Sequence, residues 1–100
     1  MRKIEPTTAF KRDFKREGKG LHRAVLDVDL KQVITALAND VALPAKHRDH
    51  PLTGNWKDYR DCHVRPDLVL IYRLIDGDGT PDSPRRLVLA RLGSHSELDL

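Results

Sequence analysis

The chain has 100 residues, of which 33% are charged and 39% hydrophobic, with a formal net charge of +3. That length fits one domain spanning residues 1–100, and no apolar run approaches the roughly 18 residues of a membrane-spanning helix. A lone cysteine, Cys62, excludes a disulfide framework, and Met1–Pro6 has no apolar stretch behind its charges to make a signal peptide, so the sequence reads as a cytoplasmic, unanchored protein.

Charge is unevenly placed. Residues 1–24 carry eight Lys/Arg against three acids, residues 25–43 one against three, and residues 44–100 nine against nine. The excess positive charge therefore sits in the first quarter, on Lys11, Arg12, Lys15, Arg16 and Lys19 among others. A surface that meets a polyanion has this footprint, and a merely solvated helix face gives the same pattern.

Residues 2–4 suit a short edge strand. Ala9 to Glu17 reads as a helix capped by Thr7 or Thr8, with Phe10 and Phe14 meeting at i, i+4 on its apolar side. Gly18-Lys19-Gly20 stops it. Leu30, Val33, Ile34 and Leu37 follow the i, i+3, i+4, i+7 pattern of a second helix, capped by Asp27 or Asp29 and ending near Asn39. From Val41 to Trp56 periodicity disappears among Pro44, Pro51 and Gly54, which predicts a long loop. Lys57 to Val64 alternates weakly as a strand. Leu68 to Leu74 is the apolar run of a central strand buried on both faces. Asp76 to Pro84 makes an extended hairpin loop, and Arg86 to Leu92 is the last strand. The order β-α-α-β-β-β predicts an α+β domain, a two-helix hairpin packed on one face of a small, mainly antiparallel sheet.

Four of the five histidines follow residue 46. The tight turn Val64-Arg65-Pro66 is expected to set His63 beside Asp67, and a carboxylate beside an imidazole fixes its tautomer and raises its pKa. Period 2 places Arg91 and His95 on one side if the strand continues through Gly93. Imidazoles, a guanidinium and a carboxylate on one face suit phosphoryl transfer on RNA, whose own 2′-OH can be the nucleophile. No carboxylate cluster suits Mg²⁺. His47-x-x-His50 and Cys62-His63 supply zinc ligand types, but neighbours on a strand point to opposite faces, so no metal or other cofactor is expected. Cys62 and Tyr72 read as core residues, and Trp56, at a loop-to-strand junction, suits either packing or stacking on RNA.

The block His50-Pro51-Leu52-Thr53-Gly54-Asn55-Trp56-Lys57-Asp58-Tyr59-Arg60-Asp61-Cys62-His63-Val64 resembles the signature of YafQ-type toxins, in the RelE superfamily of bacterial toxin–antitoxin systems. The resemblance continues through Arg65-Pro66-Asp67, Leu70-Ile71-Tyr72 and Arg91-Leu92-Gly93-Ser94-His95. It implies a RelE-like fold and a ribosome-dependent endoribonuclease that cuts messenger RNA in the decoding site, leaving a cyclic phosphate and a free 5′-OH. The positions matching the family's site are His50, His63, Asp67 and His95, with Arg91 as the phosphate-stabilising arginine. His50 or His63 is then the base on the 2′-OH, His95 the acid, and Asp67 the residue orienting His63. The basic first helix would grip ribosomal RNA phosphates. The resemblance also implies an antitoxin that wraps the toxin and a complex that binds its own operator DNA. Departures are Leu68 and Asp99, where relatives carry aromatic residues, and a longer loop from Asp76 to Pro84. Two rival readings are a non-enzymatic toxin of the gyrase-poisoning kind and a simple RNA-binding domain.

Overall fold

Tyr72, at the centre of the apolar run, is completely buried in a five-stranded sheet. The computed structural model describes residues 1–20, 22–78 and 80–100. Strands β1 (Lys3–Pro6), β2 (His50–Pro51), β3 (Arg60–Arg65), β4 (Leu68–Ile75) and β5 (Arg86–Gly93) lie in the order β1-β5-β4-β3-β2. β1 pairs in parallel with β5, and the pairs β2–β3, β3–β4 and β4–β5 are antiparallel. The expected α+β layout holds, with one strand more than the sequence suggested.

Strand alternation divides the apolar residues between two faces. Cys62, Val64, Leu68, Leu70, Tyr72, Leu87, Leu89 and Leu92 form one core with helix residues Phe10, Leu26, Leu30, Val33 and Leu37. Val69, Ile71 and Ala90 cover the opposite face with Leu98, Leu52, Trp56 and Tyr59. Leu68, noted above as a departure from the resemblance, is fully buried on the helix side. It fills core space here and offers no stacking surface.

Helix α1 (Thr8–Glu17) is capped by Thr7, whose hydroxyl accepts the Phe10 N–H at 3.0 Å. Its buried stripe is Phe10, Asp13 and Glu17; Phe14 meets Phe10 as expected, with ring centroids 6.1 Å apart, but is itself 41% exposed. The reason lies on the neighbouring strand. β1 ends opposite Leu89, which leaves the C-terminal part of β5, paired with β4 on one side, without a strand on its other side. Thr7 donates to Ala90 O at 3.0 Å, Asp13 accepts the Leu92 N–H at 3.0 Å, and Arg16 donates to Leu92 O at 2.9 Å. Helix side chains thus take over the ladder hydrogen bonds that a buried edge requires.

Helix α2 begins earlier than predicted. A turn over Arg23–Val25 runs into a π-helical stretch, Leu26–Leu30, and then an α-helix, Lys31–Ala38. Asp27 and Asp29 lie inside it and cap nothing, because Leu26 extends the apolar stripe backwards by one turn and is buried with Leu30. Asp29 instead pairs with Arg65 at 2.7 Å. The predicted long loop also contains order: short 3₁₀ turns at Ala45–His47 and Gly54–Trp56 flank β2. The strand expected from Lys57 starts only at Arg60, after Asp58 in a left-handed conformation with φ +74°. Among the described residues no helix is long and apolar enough to cross a membrane.

Candidate active site

His50 owes its place to the two-residue strand β2, in which it registers opposite Asp61. Arg48 just before it is left-handed, with φ +46° and ψ +44°, which folds its carbonyl back toward the imidazole. His50 Nδ1 lies 2.7 Å from that carbonyl oxygen. A carbonyl can only accept, so Nδ1 carries the hydrogen and Nε2 of the neutral ring keeps a free lone pair. The ring is half exposed, with its side chain 50% accessible.

Beneath it lies a carboxylate that sequence reasoning did not single out. Asp61 is 2% exposed, and its Oδ1 has no hydrogen-bond partner among the described residues. His50 Nδ1 approaches that oxygen to 3.1 Å, but the single Nδ1 proton is aimed at the Arg48 carbonyl, so the approach is electrostatic only. Burial raises the Asp61 carboxyl above its usual range, while His50, His63 and His95 pull it back. The only sequence signal for this was strand alternation, which puts Asp61 and His63 on one face and Cys62 on the other.

His63 and His95 complete the cluster. Their ring centroids are 4.9 Å apart at an interplanar angle of 55°. Burial, then repulsion from His95, lowers the pKa of His63, and only Asp61 opposes this. His95 follows the end of β5 in a turn built by Ser94 and Glu97. Glu97 Oε1 accepts the Ser94 N–H at 2.9 Å, and Ser94 Oγ accepts the Glu97 N–H at 3.1 Å, a reciprocal box legible in the sequence as Ser-x-x-Glu. Arg16 reaches Glu97 at 3.1 Å across Gly93, where a Cβ would come within 2.9 Å of the guanidinium.

The expected His63–Asp67 pair does not form. Asp67 is exposed in the β3–β4 turn, and its partner is His22, 3.4 Å away. A register shift between His63 and Arg65 is the cause, because it puts Arg65 opposite Leu68 and turns the tight hairpin away from the imidazole. Arg91 stands in the row Asp61–Ile71–Arg91, about 10 Å from Asp61 by the spacing of two strands. Its guanidinium is held by Asp13. Trp56 packs edge-on against Tyr59, centroids 5.2 Å apart, in the open-face cluster. Lys11, Arg12 and Lys15 are exposed along α1 and Lys19 just beyond it, whereas Arg16 is tied to Asp13, Glu17, Glu97 and Leu92 O. Cys62 is fully buried, and its thiol is pushed far up by desolvation. Among the described residues no three His, Cys, Asp or Glu side chains are arranged to hold a metal ion.

A profile of the bacterial YafQ toxins of type II toxin–antitoxin systems matches residues 2–100. The chain belongs to the YafQ toxin family. It is 46% identical over 70 residues to the mRNA interferase toxin YafQ of Escherichia coli K12, a match spanning 69% of this chain and 67% of the relative. The crystal structure of YafQ from E. coli BL21(DE3) superposes with a TM-score of 0.79 at 38% identity over 98% of both chains. YafQ in the E. coli DinJ–YafQ toxin–antitoxin complex gives 0.77 at 40% identity, over 97% of this chain and 96% of that one. The YafQ relationship thus extends across the helices as well as the histidine-bearing segment.

Proposed function

We propose that this YafQ-family chain is an mRNA endoribonuclease acting on the ribosome by histidine acid–base catalysis, and that a cognate antitoxin neutralises it. The carrying observation is the convergence of His50, His63 and His95 over the buried carboxylate of Asp61. His50 Nε2 removes the proton from a 2′-OH, whose oxygen attacks the adjacent phosphorus. The P–O5′ bond breaks as His95 gives its proton to the leaving oxygen, yielding a 2′,3′-cyclic phosphate and a 5′-OH. His63, disfavoured as a cation by burial and by its neighbour, stays neutral and keeps the proton on His95. Asp61 balances whichever imidazole is charged. Arg91 meets the charge developing on the phosphate. Since RNA supplies the nucleophile, the reaction requires no metal ion.

The exposed cations of α1 suit ribosomal RNA phosphates. Trp56 offers a half-buried indole to the message, and the exposure of Asp67 at the β3–β4 turn supports a contact with a base. The antitoxin assignment rests on the complex known for the E. coli relative. In that reading the toxin–antitoxin pair also binds its own operator DNA through the antitoxin, in the cytoplasm.

The test is His50→Gln and His95→Gln, assayed on ribosome-bound message with mapping of the product ends. Each is expected to lower single-turnover cleavage by about 10²–10⁴ while antitoxin binding and thermal midpoint hold. Wild-type rates should persist in chelator. Growth arrest retained after replacing all three histidines would instead select the binding-only toxin.

A further inference from the structure

His50 sits on a segment with little backbone support: β2 has two residues, and Arg48 before it holds a conformation that costs a non-glycine residue of the order of 1 kcal/mol. Something must hold it. Strand alternation sends His50 to the open face with Asp61 and Asp49 to the helix side. There Asp49 Oδ1 accepts the Tyr72 hydroxyl at 2.5 Å and Arg60 Nε at 3.2 Å. Arg60 and Tyr72 are register partners across β3 and β4, so their donors stand side by side, and Tyr72 has no exposed surface. The phenol is thus a fixed point of the core, and burial together with the Asp49 carboxylate keeps it protonated as a donor.

We infer that Asp49 is a positioning residue for His50: anchored to Tyr72 and Arg60, it fixes the Arg48–His50 turn so that the Arg48 carbonyl holds the Nδ1 proton and Nε2 faces the substrate. The inference rests on the reading of His50 as the base. Asp49 touches no reacting atom. It sets the tautomer and aim of the ring through one backbone turn, and a loop free to shift by about 1 Å loses on the order of 10²-fold in rate.

Long-range ¹H–¹⁵N correlation spectra of His50 in the free protein, above its titration, read the tautomer without any reaction. Wild type is expected to show Nδ1–H and bare Nε2. Asp49→Ala should mix the tautomers and lower kcat on ribosome-bound message by about 10²-fold with KM nearly unchanged. Asp49→Asn, whose amide oxygen still accepts from Tyr72 and Arg60, should restore most of both readouts. Tyr72→Phe, with the ring kept in the core, should shift the tautomer in the same direction and serves if Asp49→Ala does not fold. A folded Asp49→Ala or Tyr72→Phe protein with the wild-type His50 tautomer overturns the inference. A shifted tautomer with wild-type cleavage supports the anchor and removes His50 as the base.

Discussion

Arg91 grips Asp13 side-on, Nε to Oδ2 at 2.6 Å and Nη2 to Oδ1 at 3.2 Å, while the same carboxylate accepts the Leu92 N–H and Arg16 Nη1. An acid that looks in the sequence like one charge of a basic helix is a buried hub joining α1 to the last strand. It fixes the plane of the guanidinium that the proposed mechanism needs.

Asp13→Ala should therefore cost about 1–3 kcal/mol, because it leaves the buried Leu92 N–H unsatisfied and takes their shared partner from the partly exposed Arg16 and Arg91. Burial pushes the Asp13 carboxyl up, but the Arg91 hydrogen bonds, the Leu92 N–H and the two arginine charges outweigh it, and its pKa is lowered. This stabilisation is present above the ordinary carboxylate value and lost as pH falls through the depressed one. Urea titration of both proteins measures the cost, and an unchanged midpoint would remove Asp13 as a hub.

Asp61→Asn should do the opposite to stability. An orphaned, desolvated carboxylate with a raised pKa helps the fold only when protonated, and that help fades as pH rises through its folded value. At neutral pH the amide should raise stability by about 1 kcal/mol while lowering cleavage at least tenfold. A variant that is no more stable, or that cuts at the full rate, contradicts the role given to Asp61.

His63 should leave a mark on acid sensitivity. Its pKa lies below the ordinary histidine value, so its contribution is complete above about 6.5 and disappears as pH falls through the lowered value. The stability of the wild type should decline over that window, and His63→Gln should flatten the decline. Parallel pH profiles of urea midpoints decide it.

The basic face of α1 should split into two kinds of residue. Lys11→Glu with Lys15→Glu is expected to weaken ribosome association, reduce its salt dependence and leave thermal stability unchanged, because both side chains are exposed. Arg16→Ala should destabilise by about 1–3 kcal/mol, since it frees Leu92 O and three acids. Equal behaviour of the two variants in a melting experiment would contradict this division.

Leu70→Ala should cost about 2–5 kcal/mol, as Leu70 is fully buried in the helix-side core. Chemical denaturation checks it.

Elements with a strong local pattern were legible from the residues alone. The apolar run of β4, the Phe10 side of α1, the Leu30–Leu37 stripe of α2 and the burial of Cys62 and Tyr72 follow from periodicity, because each element exposes its apolar spacing along the chain. The block from His50 to Val64 carried the family. What the sequence could not decide was partnership between distant side chains. A register shift of one residue in β3 turned Asp67 to His22, and the pairing of β2 with β3 set Asp61 against His50. The early end of β1 turned Asp13 and Arg16 from surface charges into substitutes for a strand. Two residues of β2, too short to announce themselves by alternation, set the direction of His50. Periodicity is a local property of the backbone, whereas ion pairs and buried carboxylates depend on where separate elements meet, and only the packed sheet fixes that.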